Sequence, residues 1–395
     1  MKNLKIYAKT LEKSAKDQID AVMEQNIFEG CRVRIMPDCH AGTGCVIGFT
    51  SQIGNKIVPN LVGVDIGCGV SVLKLGDCDI NLPQLDEIIR KSVPSGFSVH
   101  NKTMYEHNID DLYCLDQLKN VDRIKKSVGS LGGGNHFIEV DIDDDGNKYL
   151  LIHTGSRNLG KQVADYYQKK AISIIYDTND IVKMRNDIIE SCKARGEEKL
   201  IAQKLNESNK IKKDVVPKDL CYLTGEEYNK YLHDLKICQS YAVSNRWSIE
   251  DIILSELGIG DKPFSGFESV HNYIDPIGNI IRKGAIRANK GKELIIPLNM
   301  RDGSLLCVGK GNDDWNCSAP HGAGRLMSRK EAKEKVDLED FKNSMNGIYT
   351  TSVNASTVDE SPFAYKDWKE IAEAIEPTAE IIKHLKPIYN FKAGD

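Results

Sequence analysis

Five side chains of metal-ligand type stand beside small residues. Asp65 and Cys68 lie three positions apart in VGVDIGCGV (62–70), His136 in GSLGGGNHFIE, His153 in LIHTGSR and His271 in SVHNYID. Carboxylate, thiolate and imidazole together suit a borderline transition metal such as Mn, Co, Ni or Zn. One histidine or one buried cysteine by itself is an ordinary structural residue. What counts is their number, set beside small residues and mostly near glycines at the ends of β-type runs, where folds gather functional groups. A thiolate has lone pairs enough to bridge two cations, and the glycines let ions and a substrate phosphate approach the backbone. The plain alternative for this stretch is a tight turn with an incidental cysteine.

A second kind of chemistry sits in CSAPHGAGR (317–325). His321 is followed by the small residues Gly322, Ala323 and Gly324 and then by Arg325, which leaves the imidazole accessible with a guanidinium four positions on. That pairing suits nucleophilic attack on phosphorus, with arginine stabilising charge on the transferring oxygens; the alternative is one more metal ligand. Arg157 in HTGSRNLG falls where a helical segment begins, a place where backbone donors and a guanidinium can hold an anion. GSLGGGNHF lacks the Gly-Lys-Ser/Thr ending of a nucleoside-triphosphatase loop and matches no dinucleotide fingerprint.

These residues must be positioned by a β-rich core. Short β-type runs (CRVRIM, CVIGF, LVGVDI, VSVLKL) alternate with glycine turns from residue 31 to about 75, and HFIEVDI and KYLLIHT read as strands joined by the acidic turn DDDGN. LPQLDEIIRKSV (82–93) has helical spacing after a Pro start. Between about 159 and 256 apolar residues fall at three- and four-residue intervals with few glycines, as in a helical hairpin inserted in or packed on that core. Strands return from 264 to 327, and helices are expected at about 365–375 and 377–385 before a final extended KPIYNFKA. The fold class is therefore α+β. With no linker or low-complexity block to divide it, the chain reads as one catalytic unit over 1–395.

Composition bounds the setting. Hydrophobic residues make up 41% and charged residues 28% of the 395 positions, which suits a folded globular chain and excludes a disordered one. No apolar run is long enough to span a bilayer, and MKNLKIYAKTLEK has no signal core. Eleven cysteines, an odd number without framework spacing, read as reduced thiols in a cytoplasm. The net charge of −4 argues against a polyanionic partner overall, yet KNVDRIKK (119–126) and IIRKGAIRANKGK (280–292) are basic stretches that read either as phosphate tracks or as solvated surface.

Taken in order, MPDCHAGTG, VGVDIGCGV, GSLGGGNHFIE, HTGSRNLG, SVHNY, RKGAIRA, APHGAGR, DESPFAYKD and NFKAG make a chain that resembles the RtcB family of GTP-dependent RNA ligases, in a divergent bacterial branch. The resemblance covers nearly the whole chain. It implies an RtcB-like α+β fold with glycine-rich active-site loops and a dinuclear Mn(II) centre held by Asp65, Cys68 as the bridge, His136, His153 and His271. His321 stands where the family forms a covalent histidine–GMP adduct. Asn135, Glu139, Gly322 and Gly324 stand where the family binds GTP, Phe137 beside the base, and Lys392 where a lysine holds guanine. Arg157 and Arg325 match positions of phosphate or RNA contact. The implied reaction joins an RNA 3′-phosphate or 2′,3′-cyclic phosphate to a 5′-hydroxyl, in RNA repair or tRNA splicing.

One segment departs from the family. IIPLNMRDGSLLCVGKGN (295–312) replaces a Gly-Ser-Met-Gly segment that lines the guanine pocket in many members, leaving Arg301, Asp302 and Ser304 as its candidates for base contact. Asp38 and His40 in MPDCHAGTG read as residues that orient a ligand imidazole, or as structural. Tyr365 reads equally as a nucleotide contact or as core. Two other functions compete: a dinuclear-metal phosphatase or nuclease acting on RNA ends with no nucleotide step, for which His321 and Lys392 would be superfluous, and an RNA-binding module, which leaves the five ligand-type residues without a purpose.

Overall fold

The computed structural model describes residues 3–176, 179–210 and 216–393. Among these, fourteen strands form three sheets. The first sheet runs β1 (Asn3–Ile6), β2 (Arg32–His40), β3 (Ile47–Gln52), β9 (Ile280–Lys283), β8 (Asn272–Asp275) in spatial order. A two-stranded ribbon pairs β10 (Ala285–Arg287) with β13 (Ser318–Pro320). The third sheet has seven strands in the order β11 (Glu293–Asn299), β12 (Gly303–Gly309), β14 (Ala379–Phe391), β5 (Phe137–Ile142), β6 (Lys148–Thr154), β4 (Gly69–Gly76), β7 (Ser265–Val270). The fold is α+β, with helices at Arg157–Tyr176, Asn179–Ala194, Ile201–Lys210 and Gly225–Glu256 filling the expected helical stretch. No helix of the described residues is long and apolar enough to cross a membrane.

The seven-stranded sheet sets the geometry of everything that follows. Alternation along β5 and β6 sends Ile138, Val140, Leu150 and Ile152 to one face, where they pack on Leu85 and Ile89 of the helix Leu82–Ser92 and on Ile249 and Ile253 of the long helix. Phe137 and Leu151 pack on the opposite face with Val70, Val72 and Leu306. The β5–β6 register pairs Phe137 with His153, so both fall on the face turned away from those helices.

Two expected elements differ. LVGVDI forms no strand: Pro59–Leu61 is a turn of 3₁₀ helix and the chain then turns through Gly63 at φ +100°. Leu61, Val62 and Ile66 are buried there without sheet pairing, so the apolar run reports burial and not a strand. The helix expected at 377–385 is the first half of β14. AEIIKHLK is made of good helix formers, but it pairs with β12 on one side while the rest of the strand pairs with β5, and that central position overrides local propensity. The first cations of IIRKGAIRANKGK do not form a phosphate track either. Arg282 is buried in an ion pair with Asp275 at 2.6 Å, and Lys283 is buried with its ammonium on the carbonyls of Thr43, Cys45 and Asn60. Burial pulls that lysine down to about 8.

Close approach explains two of the glycines around Cys68. A Cβ on Gly69 would lie 2.7 Å from Cα of Val270, and one on Gly67 would lie 2.8 Å from Cβ of Ala242 in the long helix. Gly67 also has φ +74°, where an L side chain is strained. Gly67→Ala is therefore expected to lower unfolding free energy by about 2–4 kcal/mol, measured by denaturant titration, because both strain and contact act at one residue.

Candidate active site

Four adjacent strands deliver the ligand-type residues to one edge of the sheet. Cys68 immediately precedes β4, His136 immediately precedes β5, His153 is the next-to-last residue of β6, and His271 immediately follows β7. The neighbours are antiparallel, so starts and ends alternate and all four positions share an edge. Backbone bonds fix the turn across that edge: His271 N–H donates to the Cys68 carbonyl at 2.9 Å, and Gly67 N–H to the Asn272 carbonyl at 2.7 Å. The long helix adds Arg246, buried, whose guanidinium donates to the carbonyls of Gly67 and Thr154.

The side chains form a row. His271 Nε2 lies 3.4 Å from His153 Nε2, which lies 3.3 Å from Cys68 Sγ. Sγ is 3.6 Å from His136 Nε2, and that nitrogen is 3.1 Å from Asp65 Oδ2. The ligand atoms of Cys68, His136 and His153 all lie within 4.8 Å of one another, and all three residues are buried. His136 Nδ1 faces the Leu131 carbonyl at 2.9 Å and His153 Nδ1 the Asn135 carbonyl at 3.2 Å. A carbonyl only accepts, so each Nδ1 carries the proton and each Nε2 turns its lone pair into the cluster. Burial holds His153 and His271 well below the ordinary imidazole range, with neighbouring imidazoles adding to the effect, and so favours the neutral form a cation needs. Burial, with Asp65 beside it, pushes the Cys68 thiol well up. At Asp65 burial works the other way from the net result: His136 and Arg157 outweigh it and hold the carboxyl below its usual value. One Asp65 oxygen has no hydrogen-bond partner. Convergent soft and borderline donors, neutral imidazoles and an unpartnered carboxylate oxygen fit a transition-metal ion.

His321 stands at the other end of the row, its ring centroid 4.9 Å from that of His271. Asp38, fully buried, accepts from both His321 Nδ1 at 2.6 Å and the His321 backbone N–H at 3.1 Å. In the neutral ring the carboxylate therefore holds the proton on Nδ1 and leaves the lone pair on Nε2. Asp38 thus orients an imidazole, that of the candidate nucleophile His321. His40 Nδ1 sits 2.9 Å from the Asp38 carbonyl.

A cleft of about 250 Å³ opens beside His321. Asn135, Phe137, Glu139, Gly322, Gly324, Arg325, Tyr365 and Lys392 all line it, as does His153, so the cleft meets the donor row. Ser304 does not: it is buried behind the wall, its Oγ unpartnered, and Gly303, Asn299 and Met300 face the cleft instead. Arg301 is tied to Asp302 at 2.8 Å on the surface, and neither lines the cleft.

The chain matches the family model described as tRNA-splicing ligase RtcB over residues 18–118 and 108–393. It belongs to the RtcB family. The RNA-splicing ligase RtcB of Escherichia coli K12 is 28% identical over 396 residues, covering 90% of this chain and 88% of that relative. The tRNA-splicing ligases RtcB of Aeropyrum pernix and Methanococcus maripaludis are 25% and 27% identical, covering 90% and 89% of this chain and 86% and 85% of those relatives.

This RtcB-family cleft rests on a residue that sequence reading passed over. Glu360, buried in DESPFAYKD, takes the Lys392 ammonium at 2.7 Å, the Tyr365 hydroxyl at 2.7 Å, Arg329 at 3.1 Å and Arg325 at 3.3 Å. Burial alone would raise its carboxyl, but Lys392, Arg329 and Arg325 override it and hold the group at about 2. Arg325 also donates to the carbonyls of Asp359 and Met327, so its guanidinium is largely committed to protein acceptors. Arg329 and Asn390 line the cleft without having been singled out, and His40, read from the sequence as an orienting or structural residue, lines it too. The signal available for Glu360 was an acid within a quoted motif; nothing in the sequence said that it faced four cationic or hydroxyl donors. Arg157 lies away from the cleft, its guanidinium donating to Ser130 Oγ at 3.3 Å and the Gly96 carbonyl at 3.4 Å, on the Asp65 side of the row.

Proposed function

We propose that the protein is a GTP- and Mn(II)-dependent RNA ligase that joins 3′-phosphate or 2′,3′-cyclic phosphate ends to 5′-hydroxyl ends, in the cytoplasm, in RNA repair or tRNA splicing. The observation that carries this reading is His321, whose Nδ1 is held by a buried carboxylate while Nε2 is free beside both a nucleotide-sized cleft and a row of metal-ligand side chains. A phosphatase needs no such imidazole at the mouth of a second cavity.

The donors divide at Cys68, with Asp65 and His136 to one side and His153 and His271 to the other. This arrangement supports two ions sharing the sulfur. Bound there, two Mn(II) ions would screen the repulsion between anionic reactants and polarise phosphoryl oxygens. In the cleft, Phe137 flanks the base and Lys392, whose ammonium lies 5.5 Å from the Phe137 ring centroid, offers a donor to a guanine oxygen. Glu139, whose carboxyl burial pushes up, offers an acceptor to guanine N–H groups. His321 Nε2 attacks the α-phosphorus of GTP, the bond to the bridging oxygen breaks and pyrophosphate leaves. An oxygen of the RNA 3′-phosphate then displaces His321, which recovers its lone pair, and GMP caps the RNA end. Finally the 5′-hydroxyl oxygen attacks that 3′-phosphorus, GMP departs and the hydroxyl proton passes to solvent. The cap supplies the leaving group that a phosphomonoester lacks. A cyclic end is first opened by hydrolysis.

Incubation with labelled GTP and Mn(II), then with RNA ends bearing 3′-phosphate and 5′-hydroxyl, tests the whole sequence. Acid-labile label on the protein followed by a sealed product is expected. Phosphate released from RNA ends without GTP, and no sealing, would replace the proposal with the hydrolase. Asp38 gives a narrower prediction. Asp38→Asn turns an acceptor into a group that can donate to Nδ1, which shifts the proton to the attacking nitrogen. Adduct formation is expected to slow about a hundredfold in single-turnover labelling while GTP binding is retained.

A further inference from the structure

We infer that Phe97, with Arg123 and Arg157, forms the platform on which the first base of the 5′-hydroxyl RNA strand stacks; this rests on the ligase reading and names the strand that the second pocket receives. Phe97 is 91% exposed, the most exposed large hydrophobic side chain among the described residues. It lines a pocket of about 270 Å³ with Gly96, Asn120, Arg123, Arg157 and Asn158, and no carboxylate lines that pocket. An exposed aromatic face beside guanidiniums and side-chain amides is the chemistry that holds an unpaired nucleotide: the ring takes the base and the cations take the phosphates. Of the cations of KNVDRIKK, Lys125 pairs with Asp110 and Lys126 with Asp122, both at 2.8 Å, and Lys119 does not line the pocket, whereas Arg123 lines it and donates to the Phe97 carbonyl along the turn.

The platform is tied to the metal-ligand row. Gly96 N–H donates to the Gly132 carbonyl at 3.0 Å and Leu131 N–H to the Pro94 carbonyl at 2.9 Å, so the turn bearing Phe97 is fastened to the segment that leads into His136. Arg157 lies against Gly132, where a Cβ would fall on its guanidinium. Along the row the contacts therefore run from His321 and the nucleotide cleft, through the sulfur, to His136, whose Nδ1 faces the Leu131 carbonyl beside Gly132, Arg157 and the Phe97 pocket. In the sealing step nucleophile and leaving group must stand on opposite sides of phosphorus. With departing GMP at the His321 end, the attacking 5′-hydroxyl comes from the Phe97 end.

The test compares Phe97→Ala and Phe97→Trp with wild-type protein in three measurements: guanylylation by labelled GTP, capping of a 3′-phosphate strand alone, and sealing at varied concentrations of the 5′-hydroxyl strand. Fluorescence anisotropy of a 5′-hydroxyl oligoribonucleotide gives binding without chemistry. For Phe97→Ala, KM and Kd for the 5′-hydroxyl strand should rise about tenfold with guanylylation and capping unchanged, and Phe97→Trp should restore both. An abasic first nucleotide on that strand should cost wild type the same factor and the alanine variant nothing further. Unchanged sealing and binding in Phe97→Ala would overturn the platform while leaving the ligase intact, and a loss confined to capping would move it to the other strand and overturn the assignment. Binding that depends on Phe97 in a protein that never takes label from GTP would keep the platform and sink the ligase.

Discussion

His321→Ala is expected to leave a folded protein that takes no label from GTP under any metal condition and seals RNA at least about four orders of magnitude more slowly than wild type. The size follows from what is removed. His321 contributes the only bond to phosphorus that the protein itself makes in the proposed sequence, and a covalent step replaced by nothing leaves direct displacement at an uncapped phosphomonoester. The histidine side chain is 18% exposed at the cleft wall and, among the described residues, its ring hydrogen-bonds only to Asp38, so truncation costs the fold little while leaving that carboxylate without its main partner. A readout that separates chemistry from folding is available: RNA already capped with GMP at its 3′-phosphate should be sealed by His321→Ala at close to the wild-type rate, because the last displacement needs no adduct. Label appearing on the variant would show that another nucleophile acts. Failure to seal pre-capped RNA would show that the imidazole serves the metal row instead, the role that its residue type equally allows.

How much of this could be read before the fold was known depends on what each residue's chemistry requires. Asp65, Cys68, His136, His153 and His271 stood out because their side chains have few uses together besides holding a cation, and the antiparallel order of β6, β4 and β7 then brings them to one edge. The hairpin of β5 and β6 was legible through alternation and an Asp-Gly turn. Charges were the poorest guide. Arg282 and Lys283 look like surface cations in the sequence, yet they face inward onto Asp275 and three carbonyls, and Glu360 looks like any exposed acid while anchoring Lys392, Tyr365 and two arginines. Whether a charged side chain turns in is decided by partners far away in sequence, which no local pattern encodes. The same holds for β14, whose composition favours a helix and whose place between β12 and β5 makes it a strand. Ser304 shows the limit at finer scale: it lies next to Gly303 on the cleft wall, and strand alternation points it into the core instead.

Cys68→Ala should abolish sealing to a similar depth by a different route. Among the row's donors the sulfur lies between the two halves, 3.3 Å from His153 Nε2 and 3.6 Å from His136 Nε2, so on the proposed reading its loss would remove a ligand from each of two ions at once. Removing a single supporting residue near a metal typically costs ten- to a hundredfold in affinity. Loss of a shared anionic ligand is expected to exceed about a hundredfold, read as Mn(II) dissociation constants by calorimetry and as metal content after gel filtration. Activity falls further, because the ions that screen the reacting anions are no longer held in place, and at least about four orders of magnitude is expected. Cobalt gives a signature that catalysis does not. Wild-type protein loaded with Co(II) should show a near-ultraviolet sulfur-to-metal charge-transfer band, and Cys68→Ser, which keeps an oxygen at that position, should lose the band while retaining some bound cobalt. Because the thiol is buried and its pKa pushed up, its proton must be expelled as metal enters, and wild-type loading should release protons that Cys68→Ala does not. Full metal content and an unchanged cobalt spectrum in the alanine variant would leave the two halves of the row without a common ligand, and the proposed chemistry without its centre.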